Sequence, residues 1–343
     1  FPVVLLLSCL AFSQKPNIVF ILADDVNYDA IGCYGGENVA TPNIDRLASQ
    51  GIQFNQAYSA MAMCAAFRAE LYTGLYPVRN GVASNHTSAR PGTKSVCHYL
   101  GDLGYRVGLT GKKHASPAET FPFESVSKRN GKSQKLDWEG MERFMGEEGD
   151  EPFCLFVCSQ NAHAAWTEGD ASQFDAEAIK LLPTQHDNPK TREVMRHYYA
   201  EVTALDAQVG RTLAILEKSG KADNTLVIFS SEQGWALGFS KWSNWNMGVH
   251  TAFVARWPGR IAAESETDAL IQMADVVPTF IEAAGGEPDK YDLDGMSFLS
   301  VLEGRKEEGR KLVYGLHNNI PEGEPYPIRS INDGQYHYIW NLK

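Results

Sequence analysis

The chain has 343 residues, 43% of them hydrophobic and 21% charged, a composition that excludes a disordered protein. A formal net charge of -11 argues against sequence-independent nucleic-acid binding, which needs a basic surface, and leaves room only for a local basic cluster around a small anionic group. Six cysteines at irregular spacing fit neither a disulfide framework nor a zinc site.

The chain opens on an apolar stretch, Phe1-Pro2-Val3-Val4-Leu5-Leu6-Leu7, too short to span a membrane, and Ala11-Phe12-Ser13 resembles a small-x-small cleavage site. Residues 1–14 therefore read as an incomplete signal peptide, with a buried N-terminal strand as the alternative; a secreted, periplasmic or lysosome-like location follows from the first reading. Asn17 to Ala23 is a short apolar run of the kind found in buried parallel strands, and it leads straight into Asp24-Asp25. Thr41-Pro42 predicts a helix start that runs to Gly51, and Cys64 to Thr73 predicts a helix stopped by Gly74. A second strand, Tyr105 to Thr110, leads into Gly111-Lys112-Lys113-His114. The polar, glycine-bearing stretch from Pro117 to Gly149 reads as loop. A third strand, Phe153 to Ser159, leads into Gln160-Asn161-Ala162-His163, and a long helix follows from about Arg192 to Ser219. The fourth strand, Thr225 to Ser230, leads into Ser231-Glu232-Gln233, and a last helix covers Asp268 to Ala284 with a kink at Pro278. The alternation predicts an α/β fold with a mostly parallel central sheet sandwiched by helices.

In such sheets ligands bind outside the carboxyl ends of the strands, so four chemically capable strand ends point to one crevice. Asp24, Asp25, Glu232 and Gln233 are all hard oxygen donors, which favours Ca²⁺, with Mg²⁺ second, over zinc. Cys64 at a helix N-terminus, with Arg68 one turn on, aims a nucleophile and a cation at one spot suited to an anionic ester. On an extended chain Lys112 and His114 share a side and Lys113 points away; His163 is a second candidate acid or base, and Lys241 a further anion contact.

Together these segments resemble the sulfatase family of the alkaline-phosphatase-like superfamily. Asn17 to Asp25, Thr41 to Ala48, Leu71 to Pro77, Gly111 to His114, Trp257-Pro258-Gly259 and Asp275 to Thr279 look like the family's segments in the family's order. The resemblance implies hydrolysis of sulfate esters or N-sulfo groups on a sulfated saccharide. By similarity, a formylglycine-generating enzyme would oxidise Cys64 to formylglycine, whose hydrate attacks sulfur. Arg68, Lys112 and His114 would hold and activate the hydrate, and Lys112, His163 and Lys241 would grip the sulfuryl oxygens. His163 would protonate the leaving group, and His114 would act as base when sulfate is expelled. Asp24, Asp25, Glu232, Gln233 and the modified Cys64 would ligate calcium. Tyr326 to Ser330 and Tyr338 to Leu342 are particularly similar to the heparan N-sulfatase branch, and relatives continue into a smaller C-terminal subdomain, so 15–343 reads as the catalytic domain with that subdomain missing or only begun. Three departures stand out: Cys64-Ala65-Ala66-Phe67-Arg68 lacks the usual Pro and Ser, Glu232-Gln233 stands where the family usually has Asp-Asn or Asp-His, and the His163 segment lacks prolines often found there. The rival readings are a phosphatase or phosphodiesterase on the same fold and a catalytically silent secreted glycan-binding homologue.

Overall fold

The computed structural model describes residues 14–127, 134–149, 151–318 and 324–342, so the leader expected at 1–14 lies almost wholly outside the described residues. Strand β1 (Asn17–Ala23) is followed by helix α1 (Pro42–Ser49), strands β2 (Ile52–Phe54) and β3 (Ala57–Tyr58), and helices α2 (Cys64–Thr73), α3 (Pro77–Asn80) and α4 (Val96–Gly101). Next come β4 (Arg106–Gly111), β5 (Glu124–Ser125), α5 (Trp138–Gly146), β6 (Phe153–Cys158), α6 (Pro189–Lys218) and β7 (Thr225–Ser231). The last third holds α7 (Asn246–Val249), β8 (His250–Thr251), β9 (Phe253–Arg256), β10 (Ser265–Thr267), β11 (Ile271–Gln272), α8 (Val276–Ala283) and α9 (Leu299–Leu302). Strands β12 (Val313–His317), β13 (Ile328–Asn332) and β14 (His337–Asn341) close it as an antiparallel three-stranded sheet.

One eight-stranded sheet runs in the order β10-β2-β9-β7-β1-β6-β4-β5. The block from β7 to β5 is parallel throughout, and β9 is antiparallel to both β7 and β2. Strands β1, β6 and β7 are buried along their whole length, which is why they read as unbroken apolar runs. Alternate residues of β1 serve opposite faces. Ile18, Phe20 and Leu22 pack under α2, α4 and α8, whereas Val19, Ile21 and Ala23 pack under α1, α5 and α6. The sandwich predicted from the alternation is therefore the fold observed.

Four expectations are corrected. Residues 117–149 are not all loop: Asp137 caps α5 by accepting from the Gly140 N–H at 2.8 Å, and Met141, Phe144 and Met145 bury one face against the sheet. Residues 268–272 are not helical, because Ile271 and Gln272 pair with β3; the helix begins only after a reciprocal cap between Gln272 and Asp275. Pro278 then falls in the first turn of α8, where no backbone N–H is needed, so it does not break the helix. Thr41 precedes α1 as expected, but its hydroxyl donates to Asp45 and accepts from the Gly32 N–H instead of capping the helix. Among the described residues the five cysteines are free, as the irregular spacing implied, and no helix is long and apolar enough to cross a membrane.

Candidate active site

The carboxyl ends of β7, β1, β6 and β4 are level. Ala23 stands opposite Ser231, Leu22 opposite Cys158, and Cys158 opposite Gly111. Backbone bonds extend this pairing into the polar segments: Glu232 N–H donates to the Ala23 carbonyl, Asp24 N–H to that of Asn161 and Lys112 N–H to that of Cys158, each at 2.9–3.0 Å. Gly111 ends β4 with a φ of 87°, and a Cβ there would strike the Cys158 carbonyl, so only glycine delivers Lys112 to this point. Helix α2 enters the same crevice from the other side. It is buried at every position, starts at Cys64 and ends on Gly74 in the left-handed conformation.

All ten residues singled out from the sequence meet here. The Cys64 thiol donates to Asp24 Oδ1 at 3.6 Å and accepts from Gln233 Nε2 at 3.3 Å. Donor atoms of Asp24, Asp25 and Cys64 lie within 4.8 Å of one another. Gln233 Nε2 also donates to Asp25 Oδ1 at 2.6 Å, and Lys241 Nζ donates to Asp25 Oδ2 at 2.7 Å. Lys112 pairs with Asp24. Arg68, fully buried, reaches Glu232 Oε2 at 2.5 Å and the Lys112 carbonyl. His163 is the exposed member of the set, its Nε2 3.8 Å from Asp25 Oδ2. Lys113 turns away to the Phe121 carbonyl, as the strand alternation predicted. His114 bonds through Nε2 to His86 Nδ1 at 3.0 Å, while its Nδ1 is buried without a hydrogen-bond partner.

The cluster is three carboxylates against three permanent cations, buried together. Burial lifts Asp24 to about 6, helped by Glu232 and Asp25 and opposed by Lys112 and Arg68. Burial opposes ionisation of Glu232 as well, yet Arg68 and then Lys112 hold it down at about 2. Burial, then Glu232, Asp24 and Asp25, push the Cys64 thiol well above its usual range, so the encoded side chain is a neutral thiol and a poor nucleophile at neutral pH. Burial, then Lys112 and Arg68, lower His114 to about 4, so its imidazole is neutral and able to accept a proton.

A divalent cation fits this donor set. Glu232 Oε1 and Gln233 Oε1 are buried with no hydrogen-bond partner, Glu232 being held by Arg68 through its other oxygen and Gln233 by Asp25 through its nitrogen. Orphaned buried oxygens of this kind are costly unless something positive meets them. The Gln233 amide turns its nitrogen to Asp25, and a half-turn would exchange oxygen for nitrogen once a cation neutralises the carboxylates.

Sequence reasoning missed His86 and Asn85. Asn85 Oδ1 accepts from Ala65 N–H at the start of α2 (3.4 Å), and its Nδ2 lies 3.3 Å from His86 Nε2. Nothing in the composition of residues 81–95 marked that turn as part of the site. Asn161 and Glu201 were missed too: Glu201, on α6, accepts from the Thr167 and Glu168 N–H groups at 2.7 Å each and from Asn161 Nδ2, and so anchors the segment carrying His163.

An α/β sandwich with a nucleophile position, buried carboxylates and converging cations at its strand ends defines a hydrolase site for an anionic ester. The sequence pattern of the sulfatase family matches residues 16–286, and the chain belongs to that family: it is a sulfuric ester hydrolase of the alkaline-phosphatase-like superfamily. It is 37% identical to an "Ulvan-active sulfatase" of Formosa agariphila over 97% of this chain and 67% of that one. It is 24% identical to the human "N-sulphoglucosamine sulphohydrolase" over 98% of this chain and 76% of that one. A solved structure "in complex with its substrate D-Glucosamine-2-N, 6-O-disulfate" shares the fold with a TM-score of 0.78 at 22% identity, covering 95% of this chain and 88% of that one.

Proposed function

We propose that the protein hydrolyses sulfate esters on a sulfated saccharide, using formylglycine made from Cys64 and one bound Ca²⁺, with Mg²⁺ as the alternative ion. The observation that carries this reading is the pair of orphaned oxygens of Glu232 and Gln233 beside Asp24, Asp25 and Cys64. The names of the relatives support a saccharide, and the higher identity to the ulvan-active protein favours ulvan over the N-sulfated glucosamine suggested by the sequence motifs. The apolar stretch at residues 1–14, read as a signal peptide, supports export, and the formylglycine reading calls for a formylglycine-generating enzyme during maturation.

In this reading Asp24, Asp25, Glu232 and Gln233 would hold the ion, and the ion would supply positive charge for the sulfuryl oxygens. Formylglycine supplies a hydrated aldehyde as oxygen nucleophile, and in this structure the Cys64 Sγ stands in for that oxygen. Lys112 and Lys241 now neutralise Asp24 and Asp25; if a cation took over the carboxylates, the two ammonium groups would be free to meet the anion. Arg68 fixes Glu232 and the Lys112 backbone, so it orients ligands instead of meeting substrate. His163, half exposed at the mouth, would give a proton to the sugar oxygen as its bond to sulfur breaks, and neutral His114 would then take the proton of the hydrate's second hydroxyl, so that the carbon–oxygen bond to sulfate breaks, sulfate leaves and the aldehyde is restored.

The test is sulfate release from ulvan oligosaccharides and from N-sulfated glucosamine, by protein co-produced with a formylglycine-generating enzyme and loaded with Ca²⁺. Peptide mass spectrometry across Cys64 is run on the same sample. Release that stops on Cys64→Ala is expected. Full conversion of Cys64 with no sulfate released from either saccharide or from an aryl sulfate would overturn the reading.

A further inference from the structure

Among the described residues, six that are not glycine hold a clearly positive φ: Asp25, His86, His114, Phe239, Trp242 and Glu264. Five of these belong to the active site or to segments that border it. Two are bulky aromatics, Phe239 at 64° and Trp242 at 63°, in a conformation that side chains with a Cβ rarely adopt. Such strain persists only where the surroundings over-determine it, and it clusters at functional sites.

The surroundings of Trp242 explain how it is held. Its backbone N–H donates to the Ala62 carbonyl at 3.0 Å, two residues ahead of Cys64. Lys241, its chain neighbour, is 6% exposed and ion-paired to Asp25, with Nζ 5.2 Å from the Trp242 ring centroid. Trp242 itself is 38% exposed. The backbone thus turns at this point so that the charged side chain goes inward to the carboxylates and the indole stays out at the rim. Phe239 and Trp245 flank it as an edge-to-face pair, ring centroids 6.1 Å apart, each more than half exposed. Three large aromatics exposed within seven residues are out of place on an ordinary surface and mark a binding face.

We propose that Trp242, with Phe239 and Trp245 beside it, is the platform on which a sugar ring of the substrate stacks while its sulfate group lies against Lys241. The proposal rests on the saccharide reading given above and adds the residues that select for it. An aromatic face next to a buried cation matches a sulfated pyranose, which offers an apolar C–H face and an anionic group. It matches a bare inorganic anion or a small alkyl sulfate much less well, since these have no face to stack. The strained Trp242 is then a residue kept for recognition at the expense of stability.

The test uses the Cys64→Ala protein loaded with Ca²⁺, so that ligand is bound and not consumed, and reads affinity for a sulfated ulvan oligosaccharide by calorimetry. Trp242→Ala is expected to weaken binding at least tenfold, and Trp242→Phe to stay within about threefold, since an aromatic face remains. Trp242→Gly relieves the positive φ, so its Tm is expected to equal or exceed that of the parent although its affinity falls. A drop in Tm with affinity unchanged would make Trp242 a structural residue and overturn the proposal, as would equal affinity in all four proteins. Absence of oligosaccharide binding by the parent also overturns it, and the hydrolytic reading still stands if the Cys64 protein releases sulfate from an aryl sulfate. Binding that depends on Trp242, in a protein whose converted Cys64 form releases no sulfate, upholds the platform and removes the hydrolytic reading.

Discussion

Arg68 shows how one residue ties the site to the fold. Its guanidinium is completely buried, and it reaches both Glu232 and the backbone of Lys112, from two different strand ends. Removing one partner of a buried ion pair strands the other charge. Arg68→Met, similar in length and apolar, leaves Glu232 facing the cluster without its closest cation. We expect a loss of about 3–5 kcal/mol in calcium-free buffer, the range for broken buried pairs. Urea unfolding of the two proteins checks it, and a loss below about 1 kcal/mol would mean that Glu232 does not depend on Arg68. The sequence made Arg68 legible because helical spacing puts it one turn from Cys64. His86 was not legible, because its role comes from a turn docked on the start of α2 through Asn85 and not from any motif.

Elements were legible in proportion to how completely they are buried. The four strands with apolar runs were placed to within a residue, because both faces of each are covered and no alternation interrupts the signal. The two-residue strands β3, β8 and β11 exist only through their partners, so no local pattern announces them. Helix α5 was missed although Met141, Phe144 and Met145 have helical spacing, because Gly140 and Gly146 and the surrounding charges mask it. Helix α6 was found, but not its second task. From it Glu201 accepts two backbone N–H groups and the Asn161 amide, and Gln208 Nε2 donates to Asn161 Oδ1 at 2.9 Å, so the helix holds the whole turn that presents His163. Glu201→Ala takes the shared acceptor from the Thr167 and Glu168 N–H groups, which lie in exposed residues where water can replace it, and from the Asn161 amide, and should cost about 1–3 kcal/mol in total. Because the turn carries His163, kcat is expected to fall by more than the affinity for Ca²⁺ does. Steady-state kinetics beside a calcium titration separate the two, and an equal loss in both would mean that Glu201 supports the fold alone.

At the scale of the whole molecule, a chain of net charge -11 must hold an anion, and the only means is local. Three carboxylates and three cations cancel in the buried cluster, with Cys64 neutral, so the site as encoded is balanced. Adding a divalent cation leaves two positive charges in excess in a place that water barely reaches, which is unfavourable until an anion enters. Adding an anion first is equally unfavourable, since Lys112 and Lys241 are already engaged by Asp24 and Asp25. Each ligand therefore supplies what the other lacks, and their binding must be coupled in both directions by the same factor. We expect inorganic sulfate to tighten Ca²⁺ binding, and Ca²⁺ to tighten sulfate binding, by a factor within about 5–150, the usual span of coupling energies. Calorimetric titration of Ca²⁺ into the thiol form of the protein, in sodium sulfate and in sodium chloride of equal ionic strength, measures it without turnover. Matched ionic strength matters, because the surplus acidic surface repels sulfate at long range and salt screens that repulsion over about 10 Å at 0.1 M. A coupling factor of one would mean that the lysines stay on their aspartates when the ion binds, and that the excess charge is relieved by proton loss inside the cluster instead of by the substrate's sulfate.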